Sequence, residues 1–187
     1  MNNTQEIFEK SGAILHGHFL LASGLHSPIY WEKFQVLQFP DYTERLCRMI
    51  ASHFRKQKIQ VVAGPTTGGI ILAFEVAKQL GVRGIFAEKE GNGKRTFQRG
   101  FSIASGERVL IVDDILTTGG SIREVVTPVA NHGGILVGIG VLVDRSEQKI
   151  DFGVPFFSCL RSITPTYQPA NCPLCAAQVP LVRPGSR

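Results

Sequence analysis

The chain is poor in cysteine, tryptophan, methionine and charge: 187 residues carry four, one and two of the first three, and only 19% are charged. Four cysteines (Cys47, Cys159, Cys172, Cys175) are too few for a disulfide framework, so a reducing cytoplasm is expected. Long apolar runs are missing as well. The longest, 134–143, falls well short of the roughly 20 residues that a membrane-spanning helix needs, which argues against an integral membrane protein. The opening Met-Asn-Asn-Thr-Gln-Glu has no basic segment followed by an apolar one, so no secretory signal is expected. No internal repeat or low-complexity tract is visible. What remains is an ordinary globular composition, 43% hydrophobic, in a length that suits one domain with an appendage and would cramp two.

The formal charge of +5 admits three kinds of partner: nucleic acid, an acidic membrane surface or a small anion. Its placement narrows the choice. The densest cationic stretch, 89–99, sets Lys89, Lys94, Arg95 and Arg99 among Gly91 and Gly93, which predicts a mobile basic loop.

Asp41, with Glu44 three residues on, forms a capping-box pattern, and Leu46, Met49, Ile50 and Phe54 recur at helical spacing, predicting a helix over 42–56. The apolar run 61–63 ends in Gly64-Pro65 and leads through small residues to an apolar helix over 70–80 capped by Gly81. The pattern then repeats. Strands are predicted at 84–87, 108–112 and 135–143, with a helix over 121–131 ended by Gly133-Gly134. Continuously apolar strands alternating with helices leave no solvent face on the sheet, so the expected fold is doubly wound α/β with a mostly parallel sheet. Residues 1–40 and 164–187 do not fit the repeat. They read as a hood over the sheet and an irregular, proline-rich tail around a 41–163 core, all within one domain.

In such sheets ligands bind beyond the carboxyl ends of the strands, near the reversal of strand order. Residues 109–121 run Val-Leu-Ile-Val-Asp-Asp-Ile-Leu-Thr-Thr-Gly-Gly-Ser: a buried strand delivers Asp113 and Asp114, then hydroxyls and glycines open a helix. Gly119 and Gly120 let backbone N–H groups turn inward, while Thr117, Thr118 and Ser121 add donors where a helix start favours an anion. The loop suits a phosphate monoester. The two aspartates suit sugar hydroxyls or a Mg²⁺ shell. Read alone, Ser121 could instead cap its helix in a box with Glu124. Two other phosphate motifs fail: Gly64 to Gly69 is followed by Ile70-Ile71 rather than Lys-Ser/Thr, and Gly138-Ile139-Gly140 lacks a third glycine.

The 109–121 string resembles the phosphoribosyl-pyrophosphate (PRPP) signature of the type I phosphoribosyltransferases, and the likeness extends over most of the chain. It implies that Thr66, Thr67, Gly68 and Gly69 form a pyrophosphate turn with a cis peptide, for which Thr67–Gly68 is the candidate. Within that family, two segments are similar to orotate-using members. One is Gly17-His18-Phe19-Leu20-Leu21-Ala22-Ser23-Gly24-Leu25-His26-Ser27-Pro28-Ile29-Tyr30-Trp31, where the resemblance lays Tyr30 and Trp31 over a pyrimidine. The other is Val141-Leu142-Val143-Asp144-Arg145, which presents a guanidinium to a carboxylate-bearing base. Read alone, two aromatics suit a core, and Asp144 with Arg145 could be a surface pair.

The resemblance therefore implies transfer of the 5-phosphoribosyl group from PRPP to orotate, with Mg²⁺, in a cytoplasmic homodimer whose basic loop reaches a neighbour's site. Lys89, Lys94, Asp113 and Asp114 are the catalytic candidates. PRPP would lie against Thr66, Thr67, Gly68, Gly69, Lys89, Lys94, Arg95, Asp113, Asp114, Thr117, Thr118, Gly119, Gly120 and Ser121, and orotate against Tyr30, Trp31, Thr117 and Arg145. Neither nucleic acid nor a membrane is expected as a partner. Three positions depart from the family: Ala22 and Gly68 replace residues that are basic in some relatives, and Glu88 replaces an arginine. The rivals are a purine phosphoribosyltransferase, which has no use for Arg145, and a PRPP-responsive regulator that binds nucleic acid, which leaves the hood unexplained. Finally, Cys172-Pro173-Leu174-Cys175 is half a zinc knuckle, and Cys159, His132 or a partner subunit would have to complete it.

Overall fold

The computed structural model describes residues 3–21, 23–91 and 93–184; Ala22 lies outside them. Six strands form one sheet in the order β5-β4-β3-β6-β7-β8, from β3 (Val61–Pro65), β4 (Arg83–Lys89), β5 (Arg95–Phe97), β6 (Arg108–Leu116), β7 (Ile135–Asp144) and β8 (Phe156–Arg161). All pairings are parallel except β4 with β5. Both faces are covered, and the alternation of side chains along each strand shows how. Val62, Leu110 and Val112 join one apolar cluster with α3 (Pro40–Phe54) and α4 (Gly68–Leu80). Their neighbours Val61, Ala63, Val109 and Ile111 join a second cluster with α5 (Gly120–Asn131). The expected doubly wound α/β architecture is present.

Local signals hold where the elements are periodic. Gly81 ends α4 in the left-handed conformation at φ +70°, as its cap position predicts. The Asp41 box does not form. Phe39 is the N-cap of α3, Pro40 takes the first turn, where a missing N–H costs nothing, and Glu44 pairs with Arg48 instead. Inside β7, Gly138 and Gly140 leave room for Phe54 and Ile50 of α3, whose side chains a Cβ at either glycine would strike. That close approach is the use of the Gly-x-Gly spacing.

The two ends of the chain form a second layer. Following α1 (Asn3–Lys10), β1 (Ile14–Leu20) and β2 (His26–Trp31) make an antiparallel hairpin, succeeded by the short α2 (Lys33–Leu37). The tail, expected to be an irregular appendage, docks on this hairpin. Tyr167 exchanges two backbone hydrogen bonds with His26, both 2.9 Å, and Val182 bonds His18 and Leu20 at 2.8 and 2.9 Å before and after the short α6 (Pro173–Ala176). Tail backbone groups that water would otherwise satisfy are spent on strand edges. Among the described residues, no helix is long and apolar enough to cross a membrane.

Candidate active site

Strand order reverses between β3 and β6, because the chain builds β4 and β5 outward on one side of β3 and then crosses back to build β6, β7 and β8 on the other. The carboxyl end of β6 therefore opens onto the crevice where ligands of such sheets bind. Asp113 and Asp114 sit there, 4% and 3% exposed. Asp113 Oδ2 accepts from Ser121 Oγ at 2.6 Å, and its Oδ1 accepts from the Asp114 backbone N–H at 2.8 Å. Burial, and then the charge of Asp114, hold the Asp113 carboxyl well above the usual carboxylate range, while the Ser121 hydroxyl pulls the other way. Ser121 is thus a partner of the site aspartate rather than a helix cap; Gly119, left-handed at φ +81°, is the N-cap of α5. Thr117 and Thr118 are exposed on the loop between β6 and α5.

Lys33, a residue the sequence reading did not select, meets Asp114. Its Nζ donates to Oδ1 at 3.1 Å and lies 2.9 Å from Oδ2. One lysine 81 positions away carries no sequence signal of this pairing. Its effect is chemical: a cation stands at the two carboxylates although Ala22, Gly68 and Glu88 supply none.

The turn from β3 into α4 carries a cis peptide at Thr66–Thr67, one residue before the expected Thr67–Gly68. Gly68 packs against Asp114, so that a Cβ there would collide with the carboxylate; glycine is the residue this turn can accept. The basic segment after β4 is not an open loop, since 95–97 pair back on 87–89 as β5. That pairing changes the standing of its cations. Arg95, with only 8% of its side chain exposed, donates to Thr66 Oγ1 at 2.8 Å, to the Thr66 and Ala87 carbonyls at 3.2 and 3.1 Å, and to Glu124 at 2.9 Å, which props the turn from beneath. Arg99 closes a bidentate pair with Glu88 at 2.7 and 2.8 Å. Lys89 is exposed, 3.9 Å from Glu124, and Lys94 is exposed at the hairpin.

Arg145 follows β7, its N–H bonded to Leu116 O at 2.8 Å. It does not pair with Asp144, which accepts from the Ser146 N–H and hydroxyl at 2.9 and 2.6 Å. Burial lowers the guanidinium's pKa from its ordinary value, opposed by the neighbouring Tyr30 phenol. Its Nε is buried with no hydrogen-bond partner among the described residues. A buried donor left without an acceptor costs about 1–3 kcal/mol. Tyr30 and Trp31, expected together over the base, separate. Successive strand residues face opposite ways, and Trp31, 5% exposed, turns into the core with its ring edge-on to Phe8 at 5.3 Å.

Two buried carboxylates, a hydroxyl- and glycine-rich loop and a half-buried guanidinium thus stand at the reversal point of a parallel sheet, beside the hairpin of β1 and β2. The model of the phosphoribosyl transferase domain matches residues 35–166. Over 97% of the chain and 95% of each relative, it is 54% identical to the orotate phosphoribosyltransferase of Pelotomaculum thermopropionicum and 52% identical to that of Caldanaerobacter subterraneus. The crystal structure of orotate phosphoribosyltransferase from Aeropyrum pernix superposes with a TM-score of 0.71 at 24% identity, over 83% of this chain and 92% of that one, a likeness of fold. The chain belongs to the phosphoribosyltransferase family and, within it, to the orotate phosphoribosyltransferases.

Proposed function

We propose that the chain transfers the 5-phosphoribosyl group of PRPP to orotate, giving orotidine 5′-monophosphate and pyrophosphate in pyrimidine nucleotide synthesis. The observation that carries the choice of base is Arg145: a half-buried guanidinium beside Tyr30 whose Nε has no hydrogen-bond partner among the described residues. An anionic pyrimidine supplies the planar acceptors that a guanidinium fits, and a neutral purine does not.

In this reading the amides and hydroxyls of 117–121 hold the 5′-phosphate, and Asp113 and Asp114 accept from the ribose hydroxyls. The turn 66–69, propped by Arg95, receives the pyrophosphate. Displacement at the anomeric carbon by the pyrimidine nitrogen develops positive charge on the sugar and releases charge onto pyrophosphate. Lys89 and Lys94 meet the leaving group, and Lys33 limits the repulsion between the two aspartates. The buried carboxylates Asp113 and Asp114 are hard oxygen donors that would suit Mg²⁺ brought in with PRPP. When bound, Mg²⁺ neutralises charge on the departing pyrophosphate.

A homodimer with shared sites and a cytoplasmic location belong to the same proposal. Supporting the first, α4 exposes Ile71 and Phe74, three residues apart on one face, the latter 68% exposed. Supporting the second, all four thiols are free. The deciding experiment offers orotate, uracil, adenine, hypoxanthine and xanthine with PRPP and Mg²⁺. Orotate is expected to exceed every other base by at least about 10²-fold in kcat/KM, since an unfilled guanidinium site rejects a base lacking its acceptor. Consumption of another base with orotate inert would overturn the assignment.

A further inference from the structure

The hood and tail bring together four side chains that the proposed reaction does not use. His18 on β1, His26 on β2, and Cys172 and Cys175 at the two ends of the α6 turn place one ligand atom each within 4.8 Å of all the others. The sequence offered Cys159, His132 or a partner subunit to complete the cysteine pair, and the first two are engaged elsewhere. Cys159 donates its thiol to Leu46 O at 3.4 Å, and His132 Nδ1 bonds Pro128 O at 2.8 Å. Two histidines from the opposite end of the chain stand there instead.

We infer that His18, His26, Cys172 and Cys175 form a closed, structural Zn²⁺ site that locks the tail onto the hood. Tetrahedral zinc with bonds of about 2.3 Å to sulfur and 2.0–2.1 Å to nitrogen requires separations of about 3.6 Å between sulfur and nitrogen and about 3.3 Å between nitrogens. The structure has Sγ of Cys172 3.5 Å from His18 Nε2, Sγ of Cys175 3.8 Å from the same nitrogen and 3.3 Å from His26 Nδ1, and the two nitrogens 2.8 Å apart. These three sulfur–nitrogen distances lie close to those of a zinc shell, the remaining separations are within 4.8 Å, and the nitrogens must part by about half an ångström.

The protonation pattern agrees. His18 Nδ1 lies 2.8 Å from the Val179 carbonyl oxygen, which can only accept, so the proton of the neutral ring is on Nδ1 and the Nε2 lone pair points into the cluster. A metal-bound imidazole usually carries this kind of outward hydrogen bond. His18, His26 and Cys172 are buried and Cys175 is exposed, so the shell is dry on three sides and open to an arriving ion on the fourth. Zn²⁺ displaces the two thiol protons and leaves a neutral set of two thiolates, two imidazoles and the ion, with no oxidant involved. The mixed sulfur and nitrogen ligands favour zinc over the hard cation of the crevice. Four protein ligands leave no open position for catalysis. The role is mechanical, because β2, which the metal would pin, carries Tyr30 to Arg145.

The test is metal analysis of the full-length protein purified without added metal or a metal-affinity step. About one zinc per chain is expected. Chelation should make two further thiols reactive and speed hydrogen exchange in 14–31 and 167–182, and Co²⁺ added to the stripped protein should give thiolate charge-transfer and tetrahedral d–d bands. Cys175→Ser and His18→Ala should lose the zinc, whereas Cys159→Ser keeps it. Wild-type protein with under about a tenth of a zinc per chain that also refuses Co²⁺, zinc retained by Cys175→Ser, or a Cys172–Cys175 disulfide found by mass spectrometry would each overturn the inference.

Discussion

In the core, β6 lies between β3 and β7 as a run of apolar residues sealed by helices on both faces. In the hood and tail, β1 has one strand partner, and its further support comes from single contacts such as His18 with Val179, 161 positions away. The first region is specified by a pattern repeated along each strand, so any one residue is backed by its neighbours. The second rests on a few particular side chains. Arg145, just past the end of β7 and within electrostatic reach of the hood's Tyr30, stands at the seam between them.

Replacing Arg145 with alanine should therefore have the largest effect. A bidentate contact to an anion comprises two charge-assisted hydrogen bonds of about 1.5–3 kcal/mol each, so kcat/KM for orotate should fall about 10²- to 10⁴-fold. Fold and PRPP affinity should persist, measured by circular dichroism and calorimetric titration. An enzyme of normal orotate kinetics would place the base elsewhere and detach the seam from the site.

The next experiment sets the two regions against each other. Phe54 packs on the bare backbone of Gly138 at the centre of the core. Phe54→Ala should cost about 3–5 kcal/mol in denaturant unfolding, uniformly across probes. Removing the tail from residue 166 should instead raise hydrogen exchange in 14–31 and leave the exchange of β3 and β6 amides unchanged, as expected of a locally cooperative unit. Equal loss of protection in both regions would show that they fold as one.

The same difference decides what could be read from the sequence. The strands expected at 61–63 and 108–112, which run on to Pro65 and Leu116, the helix ending at Gly81 and the Asp113-Asp114 pair are legible because local periodicity and local chemistry specify them. Trp31 reads as a partner of Tyr30 until β2 is known to be a strand, whose alternation sends the two side chains to opposite faces. Arg95 reads as a loop cation until β5 folds it beneath Thr66. Lys33, His18 and His26 act through partners 81 to 161 positions distant, and no spacing in the sequence encodes those meetings.

The smallest expected effect probes how the core tunes its own carboxylate. Asp113 is raised from its ordinary 3.8 to about 6, chiefly by burial and then by Asp114, with Ser121, the Asp114 N–H and Lys33 opposing. A carboxyl whose folded value lies above its unfolded one stabilises the fold while it keeps its proton. That contribution is full below 3.8 and is lost as pH rises through about 6. Binding runs the other way, because a ribose hydroxyl needs the ionised carboxylate as acceptor, so kcat/KM for PRPP should climb through the same range. Ser121→Ala removes a hydrogen bond of about 1–1.5 kcal/mol that favours the charged form, and should move this acid limb up by about one pH unit. Substrate ionisation is common to both enzymes and cancels in the comparison of their pH profiles. A limb that stayed put or moved down would mean that Asp113 is not the group the crevice titrates, and that its burial serves the sheet rather than the sugar.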